Sequence, residues 1–124
     1  MKFLKFNIAI YDWDIYYIEA ERKKDAKAVV AKLRSIPASE ALIKEVLDDI
    51  KSDSTDGGHH LYNGEARKSV ILLYRSTSKK NRINIIFHEK RHVEDRICEH
   101  LHIEDEEASA FLAGYIAQKL IPIL

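Results

Sequence analysis

The sequence predicts an α+β fold: a small antiparallel sheet, two packing helices, and a C-terminal helix pair that carries the chemistry. Three observations predict it. Residues 2–20 are rich in aromatic and β-branched types with partial alternation. Residues 69–75, Ser-Val-Ile-Leu-Leu-Tyr-Arg, form an apolar run of strand length. The segments 25–50 and 82–120 place their apolar residues at helical spacing.

In order along the chain, the polar Asp12-Trp13-Asp14 interrupts the first apolar stretch and predicts two strands joined by a tight turn. Ala28, Val29, Leu33 and Ile36 mark an amphipathic helix that Asp25 caps and Pro37 stops. Ser39 opens a second helix through Leu42, Ile43, Val46, Leu47 and Ile50, which fades by Ser52. The stretch from Asp53 to His60 holds two adjacent glycines, Gly57 and Gly58, and reads as a loop. Residues 62–65 predict a turn, and 69–75 a strand ended by Ser76-Thr77-Ser78. From Arg82 to about Leu101 one helical face carries Ile83, Ile86, Val93, Ile97 and Leu101. A last helix over 104–120 presents Ala108, Phe111, Leu112, Tyr115, Ile116 and Leu120, with acidic residues in the first turn, where the helix dipole favours them.

The chain has 124 residues, 46% apolar and 32% charged, and no linker or repeat divides it, so a single domain over 1–124 is expected. Lys and Arg total 20 against 20 Asp and Glu, which gives no net field for phosphate attraction and argues against nucleic acid as a partner. The single cysteine, Cys98, excludes an internal disulfide framework and a multi-cysteine metal site, and it fits a reducing compartment. Lys5, Asn7, Asp12 and Asp14 break the N-terminal apolar run, so it does not read as a signal peptide, and no run is long enough for a membrane span. A cytoplasmic location follows as the expectation.

His88-Glu89-Lys90-Arg91-His92 fits His-Glu-x-x-His inside a predicted helix. Two histidines four residues apart lie about 6 Å apart along the axis, so both imidazoles can reach one ion from the same face. Zn2+ suits such donors, and Glu89 beside the pair can take a proton from a water that the ion activates. The alternative is a solvated helix face on which these residues pair with Lys90, Asp95 or Arg96. The preceding Ile83, Ile85, Ile86 and Phe87 favour the metal reading, because they predict a buried stretch in which an unpartnered imidazole is costly.

With this motif followed by Glu107-Ala108-Ser109-Ala110-Phe111, the segment from about Arg67 to Tyr115 resembles the zincin metallopeptidases with a glutamate third ligand. It looks like the core of ImmA/IrrE-type and related small gluzincin-like proteins, some of them carried on mobile elements. The resemblance implies that a ligand glutamate begins a Glu-x-x-Ala stretch, which Glu107 and Ala110 match, while Asp105 offers a second register. Helical phase favours Glu107, since Glu107, Phe111 and Gly114 share one side and Gly114 would let the two helices approach closely. The chain departs from the pattern at Lys90 and Arg91 and in the 14 residues between His92 and Glu107, which demand a tight turn at 100–103. The implied activity is zinc-dependent hydrolysis of a peptide bond, with His88, His92 and Glu107 as ligands and Glu89 as base. The implied substrate is an extended segment of a protein, paired along the edge of the strand over residues 69–75.

Other residues fill out the picture. His59 and His60, placed in the glycine loop, could lid the site or replace a ligand, with a solvated loop the preferred reading. Tyr115, Tyr74 and His102 are candidate oxyanion donors, with core packing preferred for both tyrosines. Cys98 falls off the ligand face and reads as an inert thiol. Two further classes stay open: a catalytically inactive module that binds a protein partner, and a nucleic-acid accessory using Lys79, Lys80, Arg82, Lys90 and Arg91.

Overall fold

The computed structural model describes the chain except for Pro37, residues 52–56 and 75–77, and the side chains of Arg22 and Lys23. The expected stop at Pro37, most of the stretch 53–56 and the strand's end at 75–77 lie outside the described residues. The elements run β1 (Lys2–Ile8), β2 (Trp13–Ala20), α1 (Arg22–Ser35), α2 (Glu40–Lys51), β3 (Gly57–Asn63), β4 (Lys68–Tyr74), α3 (Lys79–His100) and α4 (Glu106–Leu120), with a 3-10 turn over Ile121–Ile123. The α+β class stands, and so do the first hairpin and the two packing helices.

The sheet order is β1-β2-β4-β3. The expected antiparallel sheet is corrected to a mixed one, because β2 pairs with β4 in parallel while the two hairpin pairings are antiparallel. The reason is the crossover: α1 and α2 carry the chain from β2 across one face of the sheet before β3 enters at the far edge. Residues 57–63, expected as part of a loop and a turn, form that edge strand. Glycines weaken strand propensity, but pairing along all of β4 and burial of Leu61 override it here. β4 is therefore interior, so the expected edge pairing of a substrate along 69–75 is sterically closed.

Period-2 alternation splits the sheet into two cores. Tyr16, Ile18, Val70, Leu72 and Leu61 pack against α1 and α2 through Val29, Leu33, Ile43, Val46 and Ile50. Trp13, Ile15, Tyr17, Ile71 and Leu73 face α3 and α4 through Ile86, Val93, Ile97, Leu112, Ile116 and Leu120. The buried indole of Trp13 donates to the Ser69 hydroxyl at 2.9 Å, so neither polar group is orphaned.

Local capping explains the helix ends. Glu21 occupies the N-cap of α1, and its amide donates to the Asp25 carboxylate at 2.8 Å, so Asp25 supports the cap from within the first turn instead of occupying it. The Ser39 hydroxyl accepts from the Leu42 amide at the start of α2, as its sequence position predicts. α3 closes in a Schellman arrangement, with the Ile103 amide on the Cys98 carbonyl at 2.8 Å and His102 at φ 55°. This left-handed residue is what makes the short α3–α4 connection feasible.

Two charged contacts anchor α3. Its residue Arg82 grips the Glu19 carboxylate on β2 at 2.7 and 3.0 Å and donates to the Ile123 carbonyl, so one guanidinium ties the helix, the sheet and the C-terminal turn together. Lys90 and Glu94 form an ion pair that is nearly wholly buried, so Lys90 does not lie on the solvated face that the alternative reading gave it. Burial pushes the Tyr17 hydroxyl above its ordinary range, and its hydrogen bond to Glu19 pushes the same way. Burial alone would raise the Glu19 carboxyl, but the bonds from Arg82 and Tyr17 hold it below the usual carboxylate range.

Arg82→Met is expected to cost about 2 kcal/mol at neutral pH, the worth of charge-assisted hydrogen bonds in a part-buried site. A depressed carboxyl contributes stability above its unfolded pKa and loses it as pH falls through the folded value, so the gap to wild type should narrow below about pH 4. Urea denaturation over a pH series checks this, and a gap that stays constant down to about pH 2 contradicts it.

Candidate functional site

α3 lies across the face of β3 and β4, and it approaches β3 closely at Gly58. A Cβ there would stand 2.8 Å from Ile85 Cγ2, 2.9 Å from the Leu72 carbonyl oxygen and 3.1 Å from Glu89 Cγ. Glycine is thus required by space, since every glycine of the chain has an ordinary negative φ. The approach buries Glu89 against β3, and alternation along β3 does the rest. His59 turns toward α2 and bonds Asp49, while His60 turns toward α3 and bonds Glu89, Nδ1 to Oε2 at 3.0 Å.

One turn of α3 then brings the two motif histidines together. The Nε2 atoms of His88 and His92 stand 3.2 Å apart. The His60 ring stacks on that of His92 with centroids 4.4 Å apart and 23° between planes, and His88 meets His92 edge-on at 4.8 Å. Glu89 Oε1 lies 4.0 Å from His88 Nε2. The group therefore comprises His60, His88, Glu89 and His92, graded in exposure from a His88 side chain 65% exposed to a Glu89 side chain 10% exposed.

Burial tends to raise the Glu89 carboxyl, but the hydrogen bond with His60 and the positive charge available on His60, His88 and His92 outweigh it, leaving it below the usual range. It is a carboxylate at neutral pH. The apolar run before His88 does not bury it as expected: Ile86 is buried, but Phe87 is 38% exposed and His88 lies outside the core.

The structure does not gather Glu107 with the histidine pair. Glu107 is exposed in the first turn of α4, where its amide donates to the Asp105 carboxylate at 3.1 Å. The side it shares with Phe111 and Gly114 faces solvent: Phe111 is 56% exposed, and a Cβ at Gly114 would meet nothing within 4 Å. Leu112, Ile116 and Leu120 form the buried stripe instead, so Phe111 is corrected out of it. Asp105, the other register, is occupied as the N-cap of α4. Among the described residues, no three His, Cys, Asp or Glu side chains are already arranged to hold a metal. The 3.2 Å between the Nε2 atoms of His88 and His92 compares with the about 3.3 Å that separates neighbouring nitrogens of a tetrahedral zinc site with Zn–N bonds of about 2.0–2.1 Å.

The remaining candidates have structural partners. Tyr115 donates its hydroxyl to the Asn7 carbonyl at 3.0 Å, Tyr74 lies on the opposite face of the sheet beside His59, and His102 forms the left-handed end of α3. Burial pushes the Cys98 thiol up, and the nearby Asp95 and Glu94 charges add to this, which suits an inert role. Of the five basic residues considered for nucleic acid, Arg82, Lys90 and Arg91 are paired with Glu19, Glu94 and Asp95.

His60 is the member that sequence reasoning placed in a loop. The signal that finds it is the alternation His59-His60-Leu61 opposite a fully apolar β4, with Gly58 leaving room for a helix. Comparison with protein-family models, with curated proteins and with solved structures gives no match.

Gly58→Ala should cost about 1–3 kcal/mol, because the added methyl must push α3 off β3 against a backbone carbonyl. Urea unfolding measures it, and a loss below about 0.5 kcal/mol contradicts the close contact.

Proposed function

We propose that the protein is a zinc-dependent hydrolase of peptide bonds, with His88 and His92 as metal ligands and Glu89 as general base. The observation that carries the reading is the 3.2 Å separation of the two Nε2 atoms on an exposed turn of α3, directly beside a buried carboxylate. Zinc at such a pair supplies Lewis acidity and brings the pKa of water to about 7.

The chain's own residues do the rest. Glu89, ionised at neutral pH, takes the proton of the attacking water on Oε1 and passes it to the leaving amine. Its Oε2 is held by His60, which fixes the carboxylate's direction. Ile85 and Gly58 wall its inner side. The substrate is an extended protein segment, and β3 is the sheet edge near the histidines that such a segment can reach. A reducing, cytoplasmic setting accords with the lone Cys98. No helix among the described residues is long and apolar enough to cross a membrane.

A second reading has its own support. The same 3.2 Å separation suits a hydrogen bond between two neutral imidazoles, which would make this face part of a catalytically inactive binding module.

Elemental analysis of untagged protein separates the two. The expected result is one zinc per chain in wild type, none in His92→Ala, and retention in Glu89→Gln with hydrolysis of an unfolded casein probe reduced about 100-fold or more. Wild type that takes up no zinc from a zinc-containing buffer contradicts the proposal.

A further inference from the structure

We propose that His60 of β3 is the third protein ligand of this site, held in place by Glu89. The inference rests on the metal reading above and names a donor from an element on the other side of the pair from α4.

Three observations carry it. First, the contact is made on the far side of the ring: Glu89 Oε2 stands 3.0 Å from His60 Nδ1, which leaves Nε2 as the nitrogen to meet a metal. A carboxylate on the far nitrogen of a ligand imidazole is the usual support for such a donor. Second, the rings are already at ligand spacing. Neighbouring imidazoles of a tetrahedral site have centroids roughly 5 Å apart, and the observed separations are 4.4 Å for His60 and His92 and 4.8 Å for His88 and His92. Bringing three donors onto one point requires the stacked His60 and His92 rings, now 23° from parallel, to turn their Nε2 atoms toward His88. Third, the competing third ligand is poorly placed, since the side of α4 that carries Glu107 faces solvent.

The resulting donor set is three neutral imidazoles, which suits Zn2+ and other late divalent transition ions. A fourth position stays open toward solvent on the exposed His88 side. Glu89 then serves with both oxygens: Oε2 orients His60, and Oε1, 4.0 Å from His88 Nε2, is the oxygen left to act as base. Gly58 becomes a positioning residue, because it alone permits the depth at which Glu89 reaches His60.

The test is a zinc titration against a chromophoric chelator, with far-UV circular dichroism as the folding control. His60→Ala should bind more than about 100-fold more weakly than wild type, and Glu89→Ala about 10- to 100-fold more weakly through loss of the support. Glu107→Ala should bind as wild type does. Imidazole 15N shifts of wild type during the titration need no variant, and they should move at Nε2 of His60, His88 and His92. If zinc binds and depends on His88 and His92 while His60→Ala binds as tightly and the His60 Nε2 signal stays still, the third-ligand assignment fails and the hydrolase reading survives. Loss of zinc in Glu107→Ala reassigns the ligand and also overturns it. Wild type that binds no zinc removes both.

Discussion

The close approach of α3 to the edge strand β3 is the constraint on which the site depends. It is possible only because Gly58 has no side chain, and it carries Glu89 into the sheet until its carboxylate meets His60. A carboxylate buried this deeply is costly unless its charge is answered. His60 answers it directly, and the other two histidines stand around it. Burial of Glu89 and clustering of the histidines are thus two descriptions of one packing event.

The rest of the fold holds that event still. On the α3 side of the sheet, Ile86, Val93 and Ile97 interlock with Leu112, Ile116 and Leu120, and each such side chain contributes about 1.5–3 kcal/mol on burial. Arg82 pins the start of α3 to β2 and to the C-terminal turn, and the left-handed His102 turns the other end tightly into α4. On the opposite face, His59 and Asp49 tie β3 to α2, so the edge strand is held from both sides by adjacent histidines. The buried Lys90 and Glu94 pair is the expensive feature of α3, since desolvating two charges roughly offsets their attraction. It also removes a basic side chain from the immediate neighbourhood of the histidines.

Much of the fold was legible in the sequence, and the exceptions have physical causes. Amphipathic spacing gave α1 to α4 nearly to their ends, because helix caps and apolar stripes are local signals. The hairpin of β1 and β2 was equally local. β3 was not legible as a strand: paired glycines and histidines read as a loop, and only the non-local pairing with β4, the burial of Leu61 and the proximity of α3 reveal why those residues are there. The histidine pair and Glu89 were visible through their spacing within one helix. Helical phase points to Glu107 on the assumption that its side of α4 faces α3. The phase was right and the assumption was not, since Phe111 and Gly114 on that side meet solvent. Which side of a weakly amphipathic helix is buried depends on its partner, and that partner is fixed by the α3–α4 turn.

Crystals grown with zinc and measured at its absorption edge show directly whether the three histidines share one ion. One anomalous peak per chain is expected, within about 2.1 Å of the Nε2 atoms of His60, His88 and His92 and bordered by Glu89. A histidine cluster with no peak, or a peak beside Glu107 on α4, would contradict it.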